Sequence, residues 1–216
     1  MSTVSISNAI SGVHTALIGT NSFLLPRGTT AQRPTLTVNE AGAIRSNSTF
    51  ERIERYNGVS FRQVGIHGHF TSSHLADISI TNTPQAVPFN TNDIDSGTSI
   101  SHSTTTNNSR FVINDNGVYV FNFQAQVTSQ VASPTNVYFW LKRNGVSVAN
   151  TATHYRTTGN TSTAVIASEV NLQLVAGDYI EFFTQADTNG EYILNHTAAT
   201  GDIPAAPAII VSIRGW

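Results

Sequence analysis

Cysteine is absent from this chain of 216 residues. That excludes disulfides, thiolate metal sites and catalysis by a thiol. The absence also leans towards synthesis in a reducing cytoplasm, because a secreted β-domain often carries a disulfide. Charge is scarce as well. Asp, Glu, Lys and Arg make up 11% of the chain, against a usual share of roughly 25%. A net charge of −2 gives no electrostatic footprint for nucleic acid or an anionic membrane, so neither is expected as a partner. The opening Met1-Ser-Thr-Val-Ser-Ile-Ser lacks a basic n-region, and Gly12, His14 and Thr15 break the apolar residues that follow. No signal peptide is expected there. No apolar run approaches the roughly 20 residues needed to span a bilayer.

The polar remainder is Thr, Ser, Asn and Gln, which suits strands and tight turns better than helices. Three zones follow. Residues 1–24 contain no Lys, Arg, Asp or Glu, and Val4 and Ile6 alternate with Ser. A disordered tail is usually charged. An uncharged segment with Val4, Ile6, Ile10, Val13, Leu17 and Ile18 suits an extended arm that lies on another protein and anchors there. Residues 25–70 hold most of the basic residues and read as a small β connector. Ile44 to Ser60 looks like a hairpin unit, with Asn57-Gly58 as a type I′ turn.

Residues 71–216 carry the strong patterns. Tyr119, Phe121, Phe123, Ala125 and Val127 alternate with polar residues and make one apolar strand face. Val137-Tyr-Phe-Trp-Leu141 is apolar on both faces, hence central or at an interface. Lys142-Arg-Asn144-Gly145 reads as a hairpin, Val170, Leu172 and Leu174 as a third alternating face, and Ala176-Gly-Asp178 as a turn. Tyr179 to Phe183 returns, and Ala208 to Ile213 closes the domain. Further Asn-Gly pairs stand at 116–117 and 189–190. Strands at this spacing predict an all-β, antiparallel sandwich or barrel.

Residues 85–216 resemble the tumour-necrosis-factor/complement-head jelly roll. The matching pieces are Pro88-Phe89, Gly117-x-Tyr119-x-Phe121-x-Phe123, Leu141-Lys-Arg-Asn144-Gly145, Leu172-x-Leu174-x-x-Gly177-Asp178 and Ile209 to Ile213. The resemblance implies two antiparallel sheets and a homotrimer, with Phe121, Phe123, Tyr138, Trp140 and Phe182 as candidates for the trimer interface. The middle zone, Leu25-Pro-Arg-Gly-Thr-Thr-Ala-Gln-Arg33-Pro34 with Ala41 to Arg45, Phe50-Glu51 and Tyr56-Asn-Gly58, is similar to a segment of phage tail-fibre and other virion-surface proteins. Ser46, where an aromatic is common, and Phe61, in place of Trp, depart from it.

No catalytic constellation is present: no Gly-x-Ser-x-Gly, no His-Glu-x-x-His and no phosphate-cradling Gly loop. The acidic residues are scattered, and no glycosidase pair can be named. His67-Gly68-His69 has two readings. On a strand at a three-fold axis, three copies would present six imidazoles, a set suited to an octahedral transition metal. Otherwise they are two exposed histidines in a linker, and no cofactor is assigned. Asn92-Asp-Ile-Asp-Ser-Gly97 reads as a solvated turn rather than a calcium loop.

The expectation is a non-enzymatic virion structural protein at the particle surface: a homotrimeric capsid decoration (cement) protein or short head fibre. Its arm would grip the major capsid protein or another virion protein. A tail-fibre tip or receptor-binding head is the alternative, and a host-polysaccharide-degrading enzyme a minor one. The absence of a repeat-built shaft favours the short, shell-hugging form.

Overall fold

The computed structural model describes residues 25–49, 52–73, 78–94, 99–132, 134–156, 162–188 and 192–215. The anchoring residues proposed in 1–24, together with Phe50-Glu51, Asp95 to Gly97, Asn189-Gly190 and Trp216, lie outside the described residues. A first sheet contains β1 (Arg27–Gly28), β2 (Ile44–Asn47), β3 (Arg52–Tyr56) and β4 (Phe61–Gln63), in that order. The head then runs through β5 (Ile66–Ser72), β6 (Ile78–Ile80), β7 (Gln85–Ala86), β8 (Thr91–Ile94), β9 (Ile100–His102) and β10 (Arg110–Ile113). It continues with β11 (Gly117–Ser129), β12 (Asn136–Arg143), β13 (Val146–Ser147), β14 (Thr153–Arg156), β15 (Thr163–Leu174), β16 (Tyr179–Ala186), β17 (Tyr192–Leu194) and β18 (Ile209–Gly215).

Two head sheets face each other. In one, β11 pairs with β15 along one flank and with β18 and β17 along the other, and β5 and β8 lie beyond β18. In the other, β12 lies between β16 and the short β13 and β14, with β10 and β9 beyond β16. From β10 to β12 the chain changes sheet at every strand, and again from β14 through β16. That crossing makes the antiparallel sandwich a jelly roll. Its core is the inward half of each alternating strand, including Phe70, Phe89, Phe111, Tyr119, Phe123, Phe139 and Phe182. Phe89, Phe111 and Phe182 meet edge to face, the arrangement ring quadrupoles favour.

The domain boundary needs correction. Strand β5 pairs with β18 from Gly215↔Ile66 to Ile209↔Ser72, so the head begins at Ile66 rather than residue 71. Its outward His67 and His69, with Gly68 between them, hid the strand. Gly68 points inward and Phe70 folds back over it; a Cβ there would stand 2.5 Å from the ring.

The turns divide by backbone sign. Asn144 (φ 51) and Gly145 (φ 81) form the two-residue type I′ link between β12 and β13. The same turn fails at 57–58, where only Gly58 has positive φ. There Asn57 Oδ1 accepts from the Val59 and Ser60 amides, at 3.0 and 2.9 Å, in a wider loop joining β3 to β4. The Asn-Gly pair at 116–117 also lacks positive φ. Asn92 to Ile94, read as part of a solvated turn, belong to strand β8, which pairs with β5.

Candidate functional site

The motif residues meet at one end of the sandwich. The Tyr119 hydroxyl donates to the Asp115 carbonyl at 2.8 Å. Burial, with the Asp115 charge nearby, pushes this phenol up to about 12. Asp178 accepts from the Val175 amide (2.9 Å), the Asn144 side chain (2.8 Å) and Arg143 (2.7 Å). Burial alone would raise the Asp178 carboxyl, but these hydrogen bonds and the Arg143 charge outweigh it and lower it. The Ala176 amide donates to Asn116 Oδ1 at 2.8 Å. Of the residues that carry the jelly-roll resemblance, Tyr119, Arg143, Asn144 and Asp178 thus tie the β10–β11, β12–β13 and β15–β16 turns together.

The connector is organised around a carboxylate that sequence reasoning missed. Glu54 is fully buried on the inner face of β3. Arg33 bonds both its oxygens, through Nε at 3.3 Å and through Nη2. Asn47 Nδ2 donates at 2.8 Å, and Arg45 Nη1 stands 4.0 Å away. Burial pushes Glu54 up, but the bonds from Arg33 and Asn47 and the charges of Arg33 and Arg45 prevail and hold it below the ordinary carboxylate value. The Gly28-Thr-Thr-Ala-Gln-Arg33 run folds over this cluster. Gly28 leaves room for Arg45, whose Nη2 would be 2.7 Å from a Cβ. Thr30 Oγ1 accepts from Asn47 at 3.0 Å, and Gln32 caps the Thr29 amide at 2.9 Å. The only advance signal was the pairing of many arginines with few acids in one short segment.

Of the five interface candidates, Phe121, Phe123 and Phe182 are 1%, 2% and 1% exposed. Their assignment to an interface is corrected: rings sealed between the two sheets offer no surface to a second chain. Tyr138 and Trp140 do face outward, half-buried, and neighbours in their own sheet cover them. Tyr138 packs on His154 and Trp140 on Phe183, each with centroids 5.8 Å apart, and Lys142 Nζ caps the Phe183 ring at 3.9 Å.

The two outward faces differ in kind. Beside the aromatics, the β12–β16–β10 face carries Arg110, Lys142 and Glu181. Arg110 Nε lies 3.4 Å from Glu181 and the guanidinium 4.3 Å from the Tyr179 ring centre. The opposite face presents Val118, Val120, Asn122, Gln124 and Gln126 from β11, with Val165, Ala167, Asn171 and Gln173 from β15 and Ile210 and Ser212 from β18. On these three strands the only charged outward residues are Glu169 and Arg214, which pair at 3.7 Å. His67 and His69 point outward from β5 beside them, and His69 Nδ1 lies 3.3 Å from Asp93. They stand on a strand and not in a linker. Among the described residues no three His, Cys, Asp or Glu side chains converge on a metal position within one chain.

No family model and no curated protein sequence matches the chain. Among solved structures it is similar to murine APRIL at pH 5.0, with 10% identity and a TM-score of 0.45 over 71% of this chain and 100% of that one. It is also similar to the globular domain of zebrafish complement 1qA protein, with 12% identity and a TM-score of 0.43 over 69% and 94%. The jelly-roll assignment stands on the strand order. The tail-fibre-type reading of residues 25–61 has no counterpart in these comparisons.

Proposed function

We propose that this protein is a non-enzymatic structural component of a phage virion surface. It assembles as a homotrimer through the outward face of β11, β15 and β18 and attaches to the shell by its N-terminal arm, as a decoration protein or short head fibre. The observation that carries the trimer is the charge contrast between the two faces. An antiparallel sheet face left in water is normally covered by charged side chains, whereas charge is depleted at the centre of protein interfaces. The face poorer in charge, whose strands β11, β15 and β18 carry only the Glu169–Arg214 pair, is therefore the covered one, and the Tyr138–Trp140 face is the outer one. The virion reading rests on the resemblance of residues 25–61, whose Gly28 to Arg33 run has a distinct structural task at each position described above.

The absence of cysteine permits a direct test. Gln124→Cys and Gln185→Cys each place a single thiol, one on each face. Light scattering should give a trimer mass for both, and a maleimide should label Gln124→Cys far more slowly. A monomer mass at micromolar concentration, or equal labelling of the two faces, would defeat the trimer model. For attachment, deletion of residues 2–24 should leave a soluble trimer that no longer joins particles lacking the native protein. Normal incorporation would move the anchor out of the arm. Hydrolysis of host envelope polysaccharide by the pure protein would overturn the non-enzymatic reading.

A further inference from the structure

Between the connector sheet and the motif end of the head lies an open cleft of about 650 Å3, lined by Arg55, Val59, Arg62 and Val64 on one wall and by Asn114 and Asn116 on the other. The connector wall is the outward face of the β3–β4 ladder, where register sets Arg55 directly opposite Arg62. Like charges in directly opposed positions of an antiparallel pair repel. Arg62 is neutralised, because its Nε lies 2.8 Å from Asp115 Oδ1 as an ion pair off the line of a hydrogen bond. Arg55 is exposed, and no hydrogen bond or ion pair holds it among the described residues. Val59 and Val64 are exposed beside it, at 84% and 56%.

We infer that this cleft binds an acidic, extended peptide segment of another protein. A carboxylate pairs with Arg55, an aliphatic side chain lies against Val59 and Val64, and the peptide backbone donates to Asn114 Oδ1 and accepts from Asn116 Nδ2, since Asn114 Nδ2 already donates to Ser101 and Asn116 Oδ1 already accepts from the Ala176 amide. The composition of the walls selects this class. No aromatic ring lines the cleft to stack on a sugar. Asp115 and Arg62 cancel each other, so Arg55 is left as the one uncompensated charge of the cleft, which suits a single carboxylate better than a phosphodiester chain. The protein's own residues 1–24 cannot supply the ligand, because they contain no Asp or Glu. The inference is independent of virion location and of the trimer face, since the cleft is formed within one chain.

The test uses the full-length protein and a labelled N-acetyl-Leu-Glu-Val-Asp amide, with its Gln/Asn analogue as the neutral control. Fluorescence anisotropy at low salt should show saturable binding of the acidic peptide alone, with a dissociation constant of about 1 mM, as suits a few contacts. Arg55→Gln should weaken it about five-fold, the most that one exposed charge pair usually supplies. Val59→Asp, which sets a like charge in the path of the ligand, should weaken it further. Arg156→Gln, on the head, should leave it unchanged. Amide resonances of Arg55, Val59 and Asn116 should shift on titration. Absence of saturable binding, equal binding of the neutral analogue, or full binding by Arg55→Gln would overturn the inference. So would preference for an oligoglucuronate over the peptide.

Discussion

Replacing Glu54 by Gln tests whether the connector folds around its buried carboxylate. The side chain is fully buried, and the guanidinium of Arg45 beside it is only 6% exposed. Glutamine keeps the size and one acceptor but removes the charge, leaving two cations packed against each other. Removing one partner of a buried ion pair costs about 3–5 kcal/mol. The lower end applies here, because Arg33 is 27% exposed and water screens it in part. A single small sheet rarely holds more than about 3–5 kcal/mol of its own, so the loss is comparable to everything the connector has. Glu54→Gln should therefore unfold residues 25–64 while the head persists. Trypsin provides the assay, because six of the 11 Lys and Arg residues lie in the connector. Cleavage at Arg45, Arg52, Arg55 and Arg62 should become rapid in the variant, and the head should resist as before. The pH dependence has a fixed sign. The Glu54 carboxyl sits below its ordinary value of 4.5. Its contribution is thus complete above that value and is lost as pH falls through the lowered folded-state value. In acid the wild-type connector should become sensitive to pepsin, which is active there, before the head does. Equal cleavage of variant and wild type at neutral pH would refute the account.

The other predictions concern the head. Asp178→Asn should lower its melting temperature by roughly 5 °C, since about 2 kcal/mol of charge-assisted bonding is lost; an unchanged melt would show that the three turns do not depend on it. The head's acid stability should fall for the same reason as the connector's, because Asp178 is also lowered and its contribution disappears as pH drops through the folded value. Of the six tyrosines, Tyr119 should ionise late, at about 12. Its raised value makes its share of stability complete below the ordinary 10.0 and lost as pH rises towards 12, so Tyr119→Phe should remove the late step in phenolate absorbance. Gly68→Ala should cost about 1–3 kcal/mol, the usual range for overpacking, because the added methyl meets the Phe70 ring; a neutral effect in thermal unfolding would show that the ring is free to move.

The fold was legible wherever a strand has one apolar and one polar face. Tyr119 to Val127 and Val170 to Leu174 alternate because one side of their sheet lines the sandwich core and the other carries mainly amides and small side chains, and the structure keeps both faces as read. The Asn144-Gly145 turn was legible because Asn-Gly readily takes the two positive φ angles of a type I′ link. Asn57-Gly58 carries the same dipeptide, but four residues separate β3 from β4, and the Asn side chain serves the loop instead. Strand β5 was hidden because its outward residues are His and its inward ones begin with Gly68, leaving too little apolar signal. The Glu54 cluster was illegible for a different reason. Its members, Arg33, Arg45, Asn47 and Glu54, are scattered through the segment, and each alone reads as an exposed polar residue. Only the pairing of β2 with β3, and the chain folded over them, brings the charges together.

Three of the five interface candidates, Phe121, Phe123 and Phe182, are core rings, for an instructive reason. Aromatics dominate both cores and interfaces, and a jelly roll has more inward aromatic positions than a sequence can apportion. Phe121, Phe123 and Phe182 alternate with outward partners Val120, Asn122 and Phe183, so each core ring implies a surface residue beside it, and that residue carries the information about partners. On β16 the partners are Glu181, Phe183 and Gln185, and on β12 they are Tyr138, Trp140 and Lys142, a set that covers itself through Trp140–Phe183 and Lys142–Phe183 contacts. On β11 they are Val118, Val120, Asn122, Gln124 and Gln126, which make no such cover and bring no charge. A face of short, uncharged side chains is flat. It lets the sheet of one copy approach another closely, and it gives up little hydration when buried, since amides and hydroxyls exchange water for one another at small net cost. The polar composition that first marked the chain as a strand former thus has a second consequence under the trimer proposed above: the surface assigned to a second copy is the one without aromatic rings.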